Sequence, residues 1–384
     1  MRTAFPLLTG MVTCILFFSC ATPSEQTAQS QEDKPVIVAY VGGFRGNRMG
    51  IETMDPKKLS HINYAFVDVQ GNRAFLRNEA TDTINFRTLN DLKKINKDIK
   101  ILISLGGWTW SKNFSDAVLS DTSTGNFSQS SVDIVAKYDL DGVDIDWEYP
   151  GMIGDSNVYR PEDKQGYTLL FKDLRHQLDS LGSVTGKKYF VTTAVGGNVP
   201  YTTTTEMDKV QQYCDFINVM AYDFLGGNDT LSGHHTGLYS SSPDTSKYNT
   251  DKAIKMFLDA GVPANKLVVG MGFYGKGWEM QSAANNGLYQ RTVKGVRGGG
   301  FDYIKDSLEN KNGFVKYWDD AAKSPYIFNA DKKIFISYDD ERSLKEKCDY
   351  IKKNNLRGAM YWEYNDDPKE YLLTVLAKEF GYVE

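Results

Sequence analysis

Cysteine and histidine are both scarce in this chain, and each shortage excludes a chemistry. The 4 cysteines among 384 residues fit a fold without a disulfide framework, whether or not two of them pair. Cys14 and Cys20 fall at the extreme N-terminus, leaving Cys214 and Cys348 in unrelated segments, where they are expected to be buried thiols. The 4 histidines include none beside a nucleophile motif, which argues against a Ser-His-Asp machine. His234 and His235 stand side by side in a loop rich in Gly, Ser, Asp and Asn. Adjacent residues point apart, so they read as loop residues and not as a metal pair. No basic run is present and the net charge is −5, which argues against nucleic acid as a partner. After residue 19 no apolar run is long enough to span a bilayer.

The apolar run that does exist is at the start. Arg2 precedes an apolar stretch from Leu7 to Phe18, followed by Ser19-Cys20, which reads as a signal segment over residues 1–19. Leu16-Phe-Phe-Ser-Cys20 resembles a relaxed bacterial lipobox, with Cys20 as the lipidated N-terminus of an exported, membrane-tethered protein. Residues 20–34 are polar and read as a flexible tether. Aromatic residues are plentiful, with 23 Tyr, 20 Phe and 6 Trp. That number suits a carbohydrate cleft, where ring faces pack on sugar C–H faces, but a large core uses aromatics too.

From Val36 the sequence alternates apolar, strand-like runs with amphipathic stretches. The runs are Val36–Val41, His61–Val69, Ile99–Leu105, Gly142–Trp147, Tyr189–Val195, Phe216–Tyr222, Leu267–Phe273 and Gly358–Trp362. Helical spacing marks Phe86–Asn96 and Tyr167–Leu181 among the intervening segments. Near-continuous apolar strands separated by helices imply a parallel sheet, and eight such units predict an α/β fold, a (β/α)8 TIM barrel. One connection breaks the rhythm. Between strands seven and eight, residues 277–336 carry Gly-rich turns and short alternating patterns such as Val315–Asp319 and Tyr326–Phe328. They predict a small α+β insertion domain, since a loop of that length without its own structure is unusual. Gly270-Met-Gly-Phe-Tyr-Gly275 fits a dinucleotide pattern in letters only, because Lys276-Gly-Trp-Glu is no helix start.

The stretch Asp141-Gly-Val-Asp-Ile-Asp-Trp-Glu-Tyr-Pro150 carries the chemistry. In a strand, Asp144, Asp146 and Glu148 share one face, while Val143, Ile145, Trp147 and Tyr149 share the other. Asp141 has the wrong parity for the acidic face and reads as structural. Carboxylates about 7 Å apart on a buried strand disfavour one another's ionisation, so one of them should hold its proton. A protonated acid beside ionised ones is what glycosidic cleavage uses. The same oxygens would also suit Mg²⁺ or Ca²⁺, although no phosphate or calcium loop lies nearby. Two further motifs end barrel strands: Ser104-Leu-Gly-Gly-Trp108 and Met220-Ala-Tyr-Asp223.

Together these motifs resemble glycoside hydrolase family 18, the chitinase family. Residues 141–148 are similar to its Asp-Gly-x-Asp-x-Asp-x-Glu signature, Ser104–Gly107 to Ser-x-Gly-Gly, and Met220–Asp223 to Met-x-Tyr-Asp. Leu267–Gly275 and Gly358–Glu363 are similar to its last two barrel strands, and residues 277–336 to its chitinase insertion domain, which walls the cleft. The resemblance implies that Glu148 is the general acid/base, that Asp146 orients the substrate acetamido group, and that Asp144 tunes Asp146. It implies that Tyr222, with Asp223, grips the acetamido carbonyl, that Tyr40 and Ser104 support the Asp pair, and that Trp362 floors the reacting sugar. Phe66, Gly106, Gly107, Trp108, Tyr149, Met220 and Ala221 would complete the substrate contacts.

The implied substrate is chitin or chitooligosaccharide, cleaved with retention through the substrate's own acetamido group. No cofactor or metal is implied, and a monomer is expected. An endo-acting N-glycan hydrolase and a chitin-binding lectin are the alternatives, the lectin disfavoured because Glu148 is present. Phe224-Leu-Gly-Gly-Asn follows the Tyr-Asp pair where stronger chitinases of the family often carry Trp. This implies less stacking on the leaving-group side and argues against processive attack on crystalline chitin.

Overall fold

The computed structural model describes residues 1, 4, 34–43, 49–241 and 248–384. Cys20, the signal segment apart from residues 1 and 4, and the tether up to residue 33 lie outside the described residues. All strands and helices named here fall within one compact unit, Lys34–Glu384.

In chain order the strands are β1 Val36–Gly42, β2 His61–Gln70, β3 Arg73–Phe75, β4 Lys100–Gly106, β5 Gly142–Asp146, β6 Phe190–Gly196 and β7 Phe216–Met220. They continue as β8 Leu267–Gly272, β9 Tyr274–Met280, β10 Thr292–Gly300, β11 Phe314–Asp319, β12 Ser324–Asn329, β13 Ile334–Ser337 and β14 Gly358–Trp362. Parallel pairing runs β1-β14-β8-β7-β6-β5-β4-β2, and β1 pairs with β2 to close the ring. The eight strands expected from the sequence are the eight staves of this barrel, with ends shifted by no more than two residues. Their β-branched and aliphatic residues are buried on the helix side as well as within the barrel, which is why the runs read as continuous. The two expected helices are longer at their N-terminal ends, Glu79–Leu92 and Asp163–Thr185, because polar first turns precede the apolar stripes. The first of them also stops short, at Leu92.

A second, antiparallel sheet has the order β10-β9-β13-β12-β11. It carries its own small core of Trp278, Met280, Leu288, Tyr326, Phe328 and Phe335. Only Phe273 separates the seventh barrel strand β8 from β9. The sequence gives no sign of β9 as a separate strand, because Gly275 and Gly277 dilute its β-propensity. The Gly270–Gly275 pattern thus joins two strands and opens no helix. Cys214 and Cys348 are buried, unpaired thiols.

Candidate active site

β5 lines up Ser104 with Asp144 and Gly106 with Asp146 across the parallel ladder to β4. On the outer face Val143, Ile145 and Trp147 are fully buried, and Trp147 stacks on Phe114 with ring centroids 5.2 Å apart. Asp141 accepts from the Ile101 N–H at 2.8 Å and pairs with Lys93 at 2.6 Å, a structural post as its parity suggested. Strand pairing ends at Asp146, and alternation carries on no further than Glu148. Tyr149 does not join the outer face. It lies beside Glu148, to which its side chain hydrogen-bonds, and edge-on to Trp108 at 6.2 Å.

Inside the barrel the acidic residues have unlike surroundings. Asp144 is fully buried, and its oxygens accept from Tyr40 (2.8 Å), Ser104 (2.7 Å) and Thr192 (2.6 Å), with Asn218 at 3.5 Å. Burial raises its pKa, but these donors favour the ionised form and oppose the rise. With its lone pairs occupied, Asp144 is poorly placed to ligate a metal, and among the described residues no three His, Cys, Asp or Glu converge as metal ligands. Asp146 is 4 % exposed, and its Oδ1 is buried with no hydrogen-bond partner. Burial, then the charges of Glu148 and Asp144, push its pKa well up. Glu148 is raised to about 7, chiefly by burial; the Tyr149 hydroxyl opposes the rise and the Asp223 charge adds to it. The acidic residues therefore share protons as a set, and Asp146 presents an unfilled acceptor next to an acid that is protonated near neutrality.

Around them, Met220, Ala221 and Tyr222 are buried at the end of β7, and Tyr222 meets the Tyr274 ring at 6.2 Å. Trp362 closes the other side, stacked on Phe66 at 5.4 Å and tilted over Tyr40 at 5.7 Å. A cavity of about 530 Å³ opens beside Trp362, bounded by Lys276, Arg297 and the glycines at 298–300. Trp108 is half exposed at the end of β4. At Gly106 and Gly107 the space a side chain would take is filled by the protein. Both have positive φ (+108° and +76°), and a Cβ on them would stand 2.2 Å from the Asp146 carbonyl and 2.4 Å from the Phe66 ring.

Sequence reasoning missed four residues of this neighbourhood. Ser111 is fully buried; its Oγ accepts the Glu148 N–H at 2.9 Å and donates to the Gly107 carbonyl at 2.9 Å. It ties the backbone of the acid to the loop after β4. Ser111→Ala is expected to lower kcat about tenfold with a smaller change in KM, since it leaves Glu148 chemically intact but unanchored. Steady-state kinetics check this, and a raised KM at preserved kcat would assign Ser111 to substrate binding. The other three surround Asp223: Tyr274 donates to it at 2.6 Å, Lys276 pairs with it at 2.9 Å, and His235 lies 3.6 Å away. The two adjacent histidines do point apart, but both are buried. His234 turns to Asp319 at 3.1 Å and His235 to Asp223. Loop composition alone suggested neither position.

Known proteins are similar to this chain along most of its length. Residues 36–367 match the family described as Glycosyl hydrolases family 18. Chitinase A1 of Niallia circulans is 37 % identical over 93 % of this chain, which spans only 60 % of that relative's length. Among solved structures, a glycoside hydrolase family 18 N-acetylglucosaminidase from Paenibacillus barengoltzii is 39 % identical with a TM-score of 0.82, covering 90 % of this chain and 99 % of its own. Chitinase ChiA74 from Bacillus thuringiensis is 34 % identical with a TM-score of 0.84, covering 90 % of this chain and 70 % of its own. On the closed parallel barrel, the acidic strand at its centre and this match over most of its length, the chain belongs to glycosyl hydrolases family 18.

Proposed function

We propose that the chain hydrolyses β-1,4 bonds between N-acetylglucosamine units, in chitin or chitooligosaccharides, with Glu148 as general acid/base and the substrate's own acetamido oxygen as nucleophile. The unfilled Oδ1 of Asp146, beside Glu148 and above a fully hydrogen-bonded Asp144, carries this reading. An acetamido N–H would satisfy that acceptor and turn its carbonyl toward the anomeric carbon, while the Tyr222 hydroxyl would hold the carbonyl. Asp146 itself lies on the same strand face as Glu148, about 7 Å along the backbone, a poor position for attack on the far face of the sugar. The sheet formed by β9–β13 would serve as the family's insertion domain and wall the cleft. Chitooligosaccharides assayed against a high-mannose glycoprotein, with binding measured alongside, test the substrate class. Hydrolysis of the former alone is expected; cleavage of the glycoprotein, or binding without turnover, would overturn it.

The likeness to the N-acetylglucosaminidase, along nearly that whole chain, favours a second reading in which single terminal sugars are released. Product lengths from a hexamer separate the two readings, since terminal release gives monomer first.

For placement, we propose export and attachment to the cell envelope through a lipid on Cys20, supported by the apolar run, Ser19-Cys20 and the polar tether. Cys20→Ser should move the protein from the membrane to the soluble fraction with its activity retained. Unaltered fractionation would contradict the anchor.

A further inference from the structure

His235 faces the Tyr-Asp pair in an unusual way. Its ring is fully buried, and Nε2 donates to the Tyr274 carbonyl at 3.2 Å. A carbonyl oxygen can only accept, so that nitrogen carries a proton and the neutral ring must leave Nδ1 as a bare lone pair. Nδ1 is buried with no hydrogen-bond partner and points at Asp223 Oδ1, 3.6 Å away. A lone pair set against a carboxylate is unfavourable, and 3.6 Å is too long for a hydrogen bond. A proton taken from solvent onto Nδ1 would turn this contact into an ion pair. The backbone beneath the ring is pinned as well, its N–H bonding Ser337 Oγ at 3.1 Å and its carbonyl accepting from Phe224 N–H at 3.0 Å.

We infer that His235 is a positioning residue for the reaction: by taking up a proton on Nδ1 as pH falls, it cancels the charge that Asp223 directs into the cleft. This rests on the reading of Asp223 as part of the machinery around the acetamido group. Positive charge develops on the sugar and its acetamido group during cleavage, and an ionised Asp223 beside Tyr222 supports its build-up. A second cation next to Lys276 would remove that support, so protonation of His235 slows the reaction at acid pH.

The other charged or titratable groups facing His235 are Lys276 and Tyr274 from β9 and Asp339 after β13. Asp339 is itself neutralised by Lys347 at 2.5 Å, which leaves Asp223 as the dominant anion. Burial holds the His235 pKa below the ordinary imidazole value, and Asp223 opposes that fall without cancelling it. Burial disfavours the Asp223 charge, but Lys276 at 2.9 Å and the Tyr274 hydroxyl at 2.6 Å counter it and hold the carboxyl below its usual range. The carboxylate therefore stays ionised while the imidazole titrates.

Imidazole nitrogen NMR on the full chain tests this, with His235→Asn identifying its signals among the 4 histidines. Between about pH 8 and about pH 4, His235 should pass from an Nε2–H tautomer to the doubly protonated ring. In Asp223→Asn its midpoint should fall by roughly half a unit or more. In activity, His235→Asn places a neutral amide there, and the acid limb of kcat/KM should move roughly half a pH unit lower. A ring carrying its neutral proton on Nδ1, a midpoint indifferent to Asp223→Asn, or an acid limb unmoved in folded His235→Asn would each overturn the inference. Intact coupling by NMR in a chain that fails to cleave chitooligosaccharides would count against the proposed substrate, and not against the His235–Asp223 pairing.

Discussion

Glu148→Gln should lose roughly 10³-fold or more in kcat while chitooligosaccharide affinity stays within about threefold. The amide keeps the shape and hydrogen-bonding capacity of the acid but has no proton to give to the leaving oxygen. The parent's pH profile provides a second reading of the same group. Burial raises Glu148 to about 7, and the acid must be protonated to act, so kcat/KM should fall as pH rises through about 7. That limb should be missing from the residual activity of Glu148→Gln. Kinetics from pH 5 to pH 9, with binding followed calorimetrically, would check both. A variant that keeps more than a few per cent of turnover would place the acid elsewhere.

The second large effect concerns the substrate. If the acetamido carbonyl is the nucleophile, a sugar lacking it loses the intramolecular attack, and neither Asp144 nor Asp146 is placed to substitute. Asp144 is held by the Tyr40, Ser104 and Thr192 hydroxyls, and Asp146 shares the strand face of Glu148. Intramolecular groups reach effective molarities of about 10⁵ M or more, so kcat/KM on cellooligosaccharides or fully deacetylated chitosan should fall by at least about 10³-fold. Thiazoline mimics of the cyclic intermediate should inhibit. Comparable rates on the deacetylated polymer, measured as reducing ends released, would contradict this reading.

The barrel was legible in the sequence because each stave is a continuous apolar run ended by glycine or a polar motif, a pattern that survives without tertiary knowledge. The acidic face of β5 was legible for the same local reason, since alternation alone puts Asp144, Asp146 and Glu148 together. The same rule misplaced Tyr149, because β5 pairing stops at Asp146 and the alternation does not persist beyond Glu148. No local pattern shows what lies against the glycines after Ser104, which is the Asp146 carbonyl and the Phe66 ring.

Ser111 meets Glu148 across 37 residues, and Lys276 and Tyr274 reach Asp223 from a strand with no local signature. His235 was hidden by its composition. A loop of small polar residues suggests exposure, whereas packing against β9 and Ser337 buries the ring completely.

The most direct test of the central claim is the anomeric configuration of the first product, followed by proton NMR in the first minutes of chitooligosaccharide cleavage, before mutarotation. Attack by the acetamido oxygen, then by water from the opposite direction, inverts the anomeric carbon twice, so the new reducing end should appear as the β-anomer. A first product in the α-form would mean direct displacement by water, and would contradict a substrate-assisted mechanism built around Glu148 and Asp146.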